Sequence, residues 1–378
     1  MYHDVIIAGG SIAGLLCARE ISSKGFSVLV IEEDYEIGTP EHCGGLVSMK
    51  GLLELGILPF RKTFEHFIES AEIFAPNGNK LTIDSKNQRV AEIDRRELDK
   101  QIAFQAQSRG TKIKVGTRFQ EITKSGIRTN NENIDCKVFV DARGISSLVQ
   151  KDRAGILPSA QYEVYAGWIK KGKINVIFDQ EKYPGFFAWI IPSGEGKGKV
   201  GVAGRGINVA ETLDRFLQEK GSYSVIRTIF APIWIKGPIS NFVDGKTVIV
   251  GDAAGQAKPT TAGGIFTSGM GGIFAGKAIS KFLETDNVKE LEQYQKKWTE
   301  RFGKEFERQI FARKVLERID NKTINKLFES IKPEIITEIS EKEDFDFHAN
   351  SIIRLLGIKG SIKTAQTVIE RELKKIFK

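Results

Sequence analysis

The sequence predicts an α/β protein with a Rossmann-type nucleotide-binding core. A glycine-rich turn lies between two apolar runs near the N-terminus, a second strand-to-glycine junction spans residues 248–255, and turn-punctuated segments lie between them. Val5 to Ala8 suits a strand buried on both faces. GGSIAG, Gly9 to Gly14, follows it, then Leu15, Leu16, Ala18 and Ile21 at helical spacing, and a second apolar run from Val28 to Ile31. Strand, tight turn, helix and strand make one nucleotide-binding unit. The first glycine permits the turn, the last lets the helix pack on the sheet, and the helix N-terminus faces a pyrophosphate. Ser11 stands at the middle glycine position and adds a hydroxyl, while Ile12 and Ala13 complete the turn. Glu32 ends the second strand, eighteen residues past Gly14. An acid there accepts hydrogen bonds from an adenosine ribose and repels a 2′-phosphate, which favours FAD or NAD over NADP.

The second junction separates these nucleotides. Val248 to Val250 run into Gly251, Asp252, Ala253, Ala254 and Gly255, then Pro259, Gly263 and Gly264 precede an apolar helix from Ile265. GDAAGQAKPTTAGG resembles the GD motif of the flavoprotein hydroxylase and reductase superfamily, in which the aspartate binds the FAD ribityl chain. A carboxylate at a strand end can accept ribityl hydroxyls, and a glycine-rich helix start can lie close to the ring and phosphates. Val138 to Val140 lead into Asp141, Ala142, Arg143 and Gly144, which resembles the DG motif in its DAxG variant. Arg95 in RRELD resembles the RxxFD arginine that reaches the FAD pyrophosphate, with Leu98 in place of the aromatic. Four fragments in this order, over residues 9 to 264, imply FAD.

Their spread predicts a discontinuous, glutathione reductase-like FAD-binding domain from residues 1–60, 86–157 and 238–285. A substrate domain is expected from 61–85 and 158–237, and a helical C-terminal region from 286–378. Inside the insert, Val164 to Ile169, Ile174 to Phe178, Phe187 to Ile191 and Lys199 to Ala203 read as strands of a mostly antiparallel sheet. Residues 286–346 read as charged helices, with Leu291, Tyr294, Trp298, Phe302 and Phe306 at three- and four-residue spacing. At 378 residues the chain is long enough for two cores.

The chemistry rests on residues beyond the nucleotide motifs. Pro40, Cys43, Gly44 and Gly45 form a PxxCGG segment after the first βαβ unit, and PGFFAWIIP spans Pro184 to Pro192. Together they resemble the geranylgeranyl reductase family, whose members carry PxxCG here and a YxWxFP motif in the substrate sheet. Phe187 stands where that family has tyrosine and Ile191 where it has phenylalanine, so a phenolic hydroxyl is missing. Phe187 and Trp189 alternate with Ala188, which aims both rings at one face. Ordinary sheet packing accounts for such rings equally well, but an aromatic wall suits a polyprenyl chain recognised by apolar area at about 25 cal/mol per Å2.

Three cysteines, Cys17, Cys43 and Cys136, give no disulfide framework and suit a reducing, cytoplasmic location. Cys17 and Cys136 read as packing residues. Cys43 is placed beside the flavin by the resemblance, and its neutral thiol can donate a proton, although His42 if charged would oppose that. The alternative is a small residue that fits against the isoalloxazine.

The expected reaction is FAD-dependent saturation of isolated C=C bonds in a polyprenyl lipid of the archaeal type. Cys43, Phe187 and Trp189 are the candidate catalytic residues, and no metal is expected. No second GxGxxG follows a strand, so NAD(P)H and ferredoxin both stand as electron donor. The surplus of eight positive charges suits an acidic ferredoxin, an anionic head group or peripheral contact with a membrane face. It is dispersed without a binding module, which argues against nucleic acid. A monomer is expected. No leader pattern is read, and no stretch is long enough to span a bilayer. The tail from Ser351 to Lys378 reads as a helix docked on its own domain with a basic face, or else as an interfacial helix pair. A flavin monooxygenase or halogenase would share the FAD motifs, as would a flavoprotein passing electrons to quinone. The cysteine-rich cluster of one quinone-reducing family cannot form here, since no cysteine follows Cys136.

Overall fold

Strand β1 (Tyr2–Ala8) is hydrogen-bonded on both edges, and its second half, Val5 to Ala8, is buried on both faces, which is why that half is continuously apolar. This computed structural model describes residues 2–85, 88–149, 152–342 and 344–355. The described residues divide into two compact units, one falling within 1–66, 91–157 and 231–304, the other within 67–90, 158–230 and the described part of the chain from 305 onward. The C-terminal helical stretch is divided between them, within the helix Lys289–Leu316.

In the first unit β1 leads through helix α1 (Ile12–Ser22) to β2 (Val28–Ile31). Helix α2 (Arg95–Gln107), strand β3 (Asn133–Asp141), strand β4 (Thr247–Ile249) and helix α3 (Ile265–Thr285) follow along the chain. Five strands of an eight-stranded sheet, β4, β3, β1, β2 and Lys112–Lys114, lie side by side and parallel, while Val243–Asp244, Gly126–Thr129 and Phe119–Ile122 pair antiparallel. Register aligns Ala8 with Ile31 and Asp141, and Asp141 with Ile249. The residues that follow, Gly9, Glu32, Ala142 and Val250, therefore leave the sheet at one edge, the carboxyl end where such folds bind ligands.

Helix α3 packs against α1. A Cβ on Gly272 would lie 2.2 Å from the Ala13 carbonyl oxygen, and one on Gly276 would lie 2.7 Å from that of Cys17. The glycines that interrupt the apolar run of α3 thus let two backbones approach closely. Among the described residues no helix is long and apolar enough to cross a membrane.

The second unit contains a seven-stranded sheet ordered Ser224–Phe230, Ser159–Tyr165, Lys197–Ala203, Ala188–Gly194, Lys173–Ile177, Ser70–Phe74 and Lys80–Asp84. It is antiparallel except where Lys173–Ile177 runs parallel to Ser70–Phe74. One face buries Ala160, Tyr162, Val164, Ala188, Ile190, Val200 and Val202 with Leu213, Phe216 and Leu217 of the helix Val209–Lys220. A strand continuing from Val164 to Ile169 does not occur. The chain leaves the sheet after Tyr165, and a turn through Gly167 closes with the Ile169 N–H donating to the Ala166 carbonyl at 3.0 Å. The helices Asn321–Ser330, Pro333–Lys342 and Ala349–Leu355 complete this unit, and the rest of the tail, 356–378, lies outside the described residues.

Candidate cofactor and active site

The turn after β1 is a cradle that side chains would close. Gly9 has φ +116°, and a Cβ there would lie 2.2 Å from the Ala142 carbonyl oxygen, while one on Gly14 would lie 2.1 Å from the Gly9 carbonyl oxygen. Ser11 is the N-cap of α1, yet its side chain makes no capping bond. Its hydroxyl donates to Asp99 at 3.1 Å instead, leaving N–H groups at the start of α1 for another acceptor. Glu32 accepts from the Gly10 N–H at 2.7 Å and the Asp34 N–H at 3.1 Å. Burial raises its carboxyl pKa against those bonds.

Arg95 opens α2 at the same end of the sheet. Its Nη2 donates to both Asp99 carboxylate oxygens at 2.9 Å and to Ser11 Oγ at 3.1 Å. Burial opposes the guanidinium charge, but Asp99 and then the Cys43 sulfur raise the Arg95 pKa. Asp99 itself is buried, and that burial raises its pKa against the pull of Arg95. The buried Nε of Arg95 has no hydrogen-bond partner among the described residues. An orphaned guanidinium N–H beside an uncapped helix start fits an anionic oxygen.

The PxxCGG loop is fastened to this corner. Glu41 is buried and accepts from the Arg95 backbone N–H at 3.4 Å, while the Ile93 N–H donates to the Gly45 carbonyl at 2.9 Å. Half-buried Cys43 receives the Gly45 N–H at 3.4 Å, a turn that Gly45 permits with φ +79°. Gly44 is half-buried and His42 exposed. The other two thiols lie elsewhere: burial pushes the Cys17 pKa far up within α1 and that of Cys136 to about 11 within β3.

The GD junction leaves the sheet at the same carboxyl edge. Asp252 is solvent-accessible, yet the surrounding protein desolvates its carboxyl enough to raise its pKa against the Ser268 hydroxyl and the Arg95 charge. Ser268 Oγ donates to Asp252 Oδ1 at 3.2 Å, and a Cβ on Gly264 would come within 3.1 Å of that same oxygen. Gly264 caps α3 without a side-chain bond, so Ile265 begins a second open helix N-terminus. Pro259 lies in the preceding loop, where the Lys258 N–H donates to the Gly263 carbonyl at 3.0 Å. Asp141 faces inward: Arg143 Nη2 donates to it at 2.8 Å and Ser147 Oγ at 2.9 Å, which shapes the turn of Ala142 and Gly144 against Gly9.

Phe187 and Trp189 belong to the second unit. Their rings meet edge to face at 6.2 Å, Phe186 stacks on Phe187 at 4.1 Å, and Phe178 meets Phe187 at 5.6 Å. Trp189 Nε1 donates to Gln161 Oε1 at 3.0 Å, and the indole lies over Gly201, where a Cβ would come within 2.2 Å of Cζ2.

Sequence reading passed over Asp99, Ser268 and Gln161. Asp99 was within reach, since it stands four residues beyond Arg95 on one helix face. Gln161 required strand register: it pairs with Gly201, which pairs with Trp189.

A parallel sheet with a glycine cradle, two open helix starts and a buried arginine at its carboxyl edge defines a flavoprotein nucleotide site. The FAD binding domain family matches residues 2–193. The chain is 28% identical, over 98% of its length and 97% of the relative's, to digeranylgeranylglycerophospholipid reductase 2 of Methanopyrus kandleri. It superposes with TM-score 0.85 on a geranylgeranyl bacteriochlorophyll reductase-like protein of Thermoplasma acidophilum, at 23% identity over 98% of this chain and 99% of the other. A flavin-dependent brominase triple mutant shares the fold at TM-score 0.67 and 16% identity, over 99% of both chains. The chain belongs to the FAD binding domain family and is an FAD-dependent oxidoreductase similar to the digeranylgeranylglycerophospholipid reductases.

Proposed function

We propose that this protein saturates isolated C=C bonds in geranylgeranyl chains of a polyprenyl lipid of the archaeal membrane type. Its similarity to digeranylgeranylglycerophospholipid reductases over nearly the whole chain supports that substrate class. One observation carries the reading: the loop bearing Cys43 is fastened beside Arg95 of the nucleotide site, Glu41 accepting the Arg95 backbone N–H at 3.4 Å and the Gly45 carbonyl accepting the Ile93 N–H at 2.9 Å. A nucleotide-binding turn alone requires no thiol there.

Gly9, Ser11, Ile12, Ala13 and Gly14 with Arg95 would hold the FAD pyrophosphate, Glu32 the adenosine ribose and Asp252 the ribityl chain. Gly44, Gly45, Asp141, Gly144, Gly251, Pro259, Gly263, Gly264 and Ile265 would shape the walls. FAD, when bound there and reduced, would supply a hydride equivalent for one alkene carbon. Cys43 gives its proton to the other carbon and recovers one from solvent, so the C=C bond gains two hydrogens in all. Phe187 and Trp189 present apolar and π surface to the isoprenoid, and the Gln161 bond fixes the indole orientation. Electrons arrive from NAD(P)H or ferredoxin, and the protein works as a monomer.

Chemically reduced protein incubated with a geranylgeranyl lipid yields product heavier by successive pairs of hydrogens, read by mass spectrometry. Unchanged lipid mass under several donors sinks this reading. Oxygen uptake that rises with an aromatic substrate would move it to the monooxygenase class.

A further inference from the structure

Four large apolar side chains in the first unit stand out from its surface: Leu53 is 57% exposed, Leu58 70%, Phe60 53% and Phe104 62%. One buried side chain ties two of them, Leu58 and Phe60, to α2. Gln101 Nε2 donates to the Leu58 carbonyl at 2.7 Å, and Gln101 Oε1 accepts from the Phe60 N–H and the Thr63 hydroxyl, each at 3.0 Å. Phe104 lies three residues along α2 from buried Gln101, at the adjoining, exposed position of that helix. Arg19 ties the near end of the segment to the same helix, donating to the Leu55 carbonyl at 2.8 Å and to Gln105 Oε1 at 3.1 Å. The Ile57 N–H donates to the Leu52 carbonyl at 2.9 Å, which joins the segment to the turn bearing Leu53. The loop is therefore fastened along its length while its apolar side chains point outward, an arrangement that core packing does not require.

The charge beside these side chains has one sign in excess. Arg61 and Lys62 follow Phe60 directly and are exposed, and Arg109 lies five residues beyond Phe104. Of the nearby acids, Glu54 is engaged by Arg301 at 2.7 Å, which leaves Glu65 as the acid next to the pair. Protruding aliphatic and aromatic groups rimmed by cations match the boundary between acyl chains and anionic head groups. Four partly exposed side chains offer roughly 400 Å2, about half of what each partner contributes to a standard protein interface, so a second copy is the poorer fit.

We propose that Leu53, Leu58, Phe60 and Phe104, with Arg61 and Lys62, form a surface by which the protein docks on an anionic lipid bilayer. This property is separate from the reduction chemistry and is measured without turnover.

The experiment is flotation of the full-length FAD-loaded protein with vesicles of phosphatidylglycerol and phosphatidylcholine, against vesicles of phosphatidylcholine alone. Wild type co-floats with the anionic vesicles and less so as salt rises. L58S/F60S and R61E/K62E each lower the bound fraction roughly tenfold or more, while Tyr35→Ser, at an 89% exposed site elsewhere in the same unit, leaves it unchanged. An unaltered flavin spectrum reports that each variant is folded. Wild type that stays with neither vesicle, or patch variants that float as well as wild type, overturns the proposal. So does a wild-type dimer in sedimentation velocity that L58S/F60S converts to monomer, because the occupant is then a second copy.

Discussion

The side-chain amide of Gln256 donates to the Tyr294 hydroxyl at 2.8 Å, while its carbonyl oxygen accepts the Gly251 N–H at 2.8 Å. Tyr294 in turn donates to the Ile249 carbonyl at 2.9 Å. The strand end before Asp252 is thereby tied to the helix Lys289–Leu316, which Trp298 also anchors by donating to the Thr267 carbonyl at 3.1 Å. The turn that carries Asp252, the residue proposed to meet a ribityl chain, is held by a buried hydrogen-bond chain as well as by its own backbone bonds.

Removing that hydroxyl leaves buried groups without partners. Tyr294→Phe is expected to cost about 1–3 kcal/mol of stability and to speed FAD loss. Thermal unfolding of the apoprotein and flavin release followed by fluorescence check both effects.

Arg95 makes a charge-assisted pair with Asp99, and a lysine cannot reproduce its planar fork. Arg95→Lys is expected to weaken FAD affinity roughly tenfold or more, at about 1.5–3 kcal/mol per charged hydrogen bond lost. Titration of apoprotein with FAD measures it, and wild-type affinity in Arg95→Lys would exclude Arg95 from the pyrophosphate site.

Asp252 gives a pH prediction whose sign follows from its raised pKa. Desolvation by the surrounding protein penalises the ionised carboxyl in the folded state even though the residue is solvent-accessible, so at neutral pH the folded apoprotein carries a modest cost that the unfolded chain does not. Asp252→Asn removes the charge and is expected to raise the apoprotein Tm at pH 7 while lowering FAD affinity. As pH falls, the wild-type carboxyl becomes protonated first in the folded state. The stability advantage of the variant shrinks below the folded-state pKa and is gone under about pH 4, the ordinary aspartate value. Paired melts across that range check the trend.

Loss of the Cys43 thiol separates cofactor binding from proton delivery. Cys43→Ala is expected to keep FAD and lose roughly a hundredfold or more in alkene reduction, the scale of a general acid. Normal turnover by a flavin-loaded Cys43→Ala would falsify the donor role and leave Cys43 as a packing residue.

What could be read from the sequence was local. β1, α1 and β2 announce themselves because the turn, the helix spacing and both strands lie within some thirty residues, and the GD junction does the same. Asp252's partner Ser268 and Trp189's partner Gln161 lie across turns or strands, where contact depends on register and helix phase. Residues 166–169 kept an apolar pattern while the backbone turned, closed by the Ile169 N–H on the Ala166 carbonyl, a bond that periodicity cannot report. The surface at Leu58 and Phe60 was equally hidden, because apolar residues beside buried Ile57 and Thr63 look like core until Gln101 shows which way they face.

Gly201 tests whether the aromatic wall has a defined shape. Its Cα lies under the Trp189 indole, and an added methyl would come within 2.2 Å of Cζ2 and 2.7 Å of the Ala160 carbonyl oxygen. The backbone there is paired on both sides, with Gln161 and with Trp189 itself, so the strand has little room to yield and the indole must move. A displaced indole loses its 3.0 Å bond to Gln161. Gly201→Ala is therefore expected to shift the tryptophan emission and lower turnover of a geranylgeranyl lipid severalfold to a hundredfold, the scale of a positioning error of about 1 Å. FAD affinity stays at the wild-type value, since the substitution lies in the second unit and the nucleotide site in the first. Gln161→Leu provides the matched case: it removes the acceptor without crowding the ring. If alkene reduction survives both changes intact, Trp189 is sheet packing and takes no part in orienting substrate.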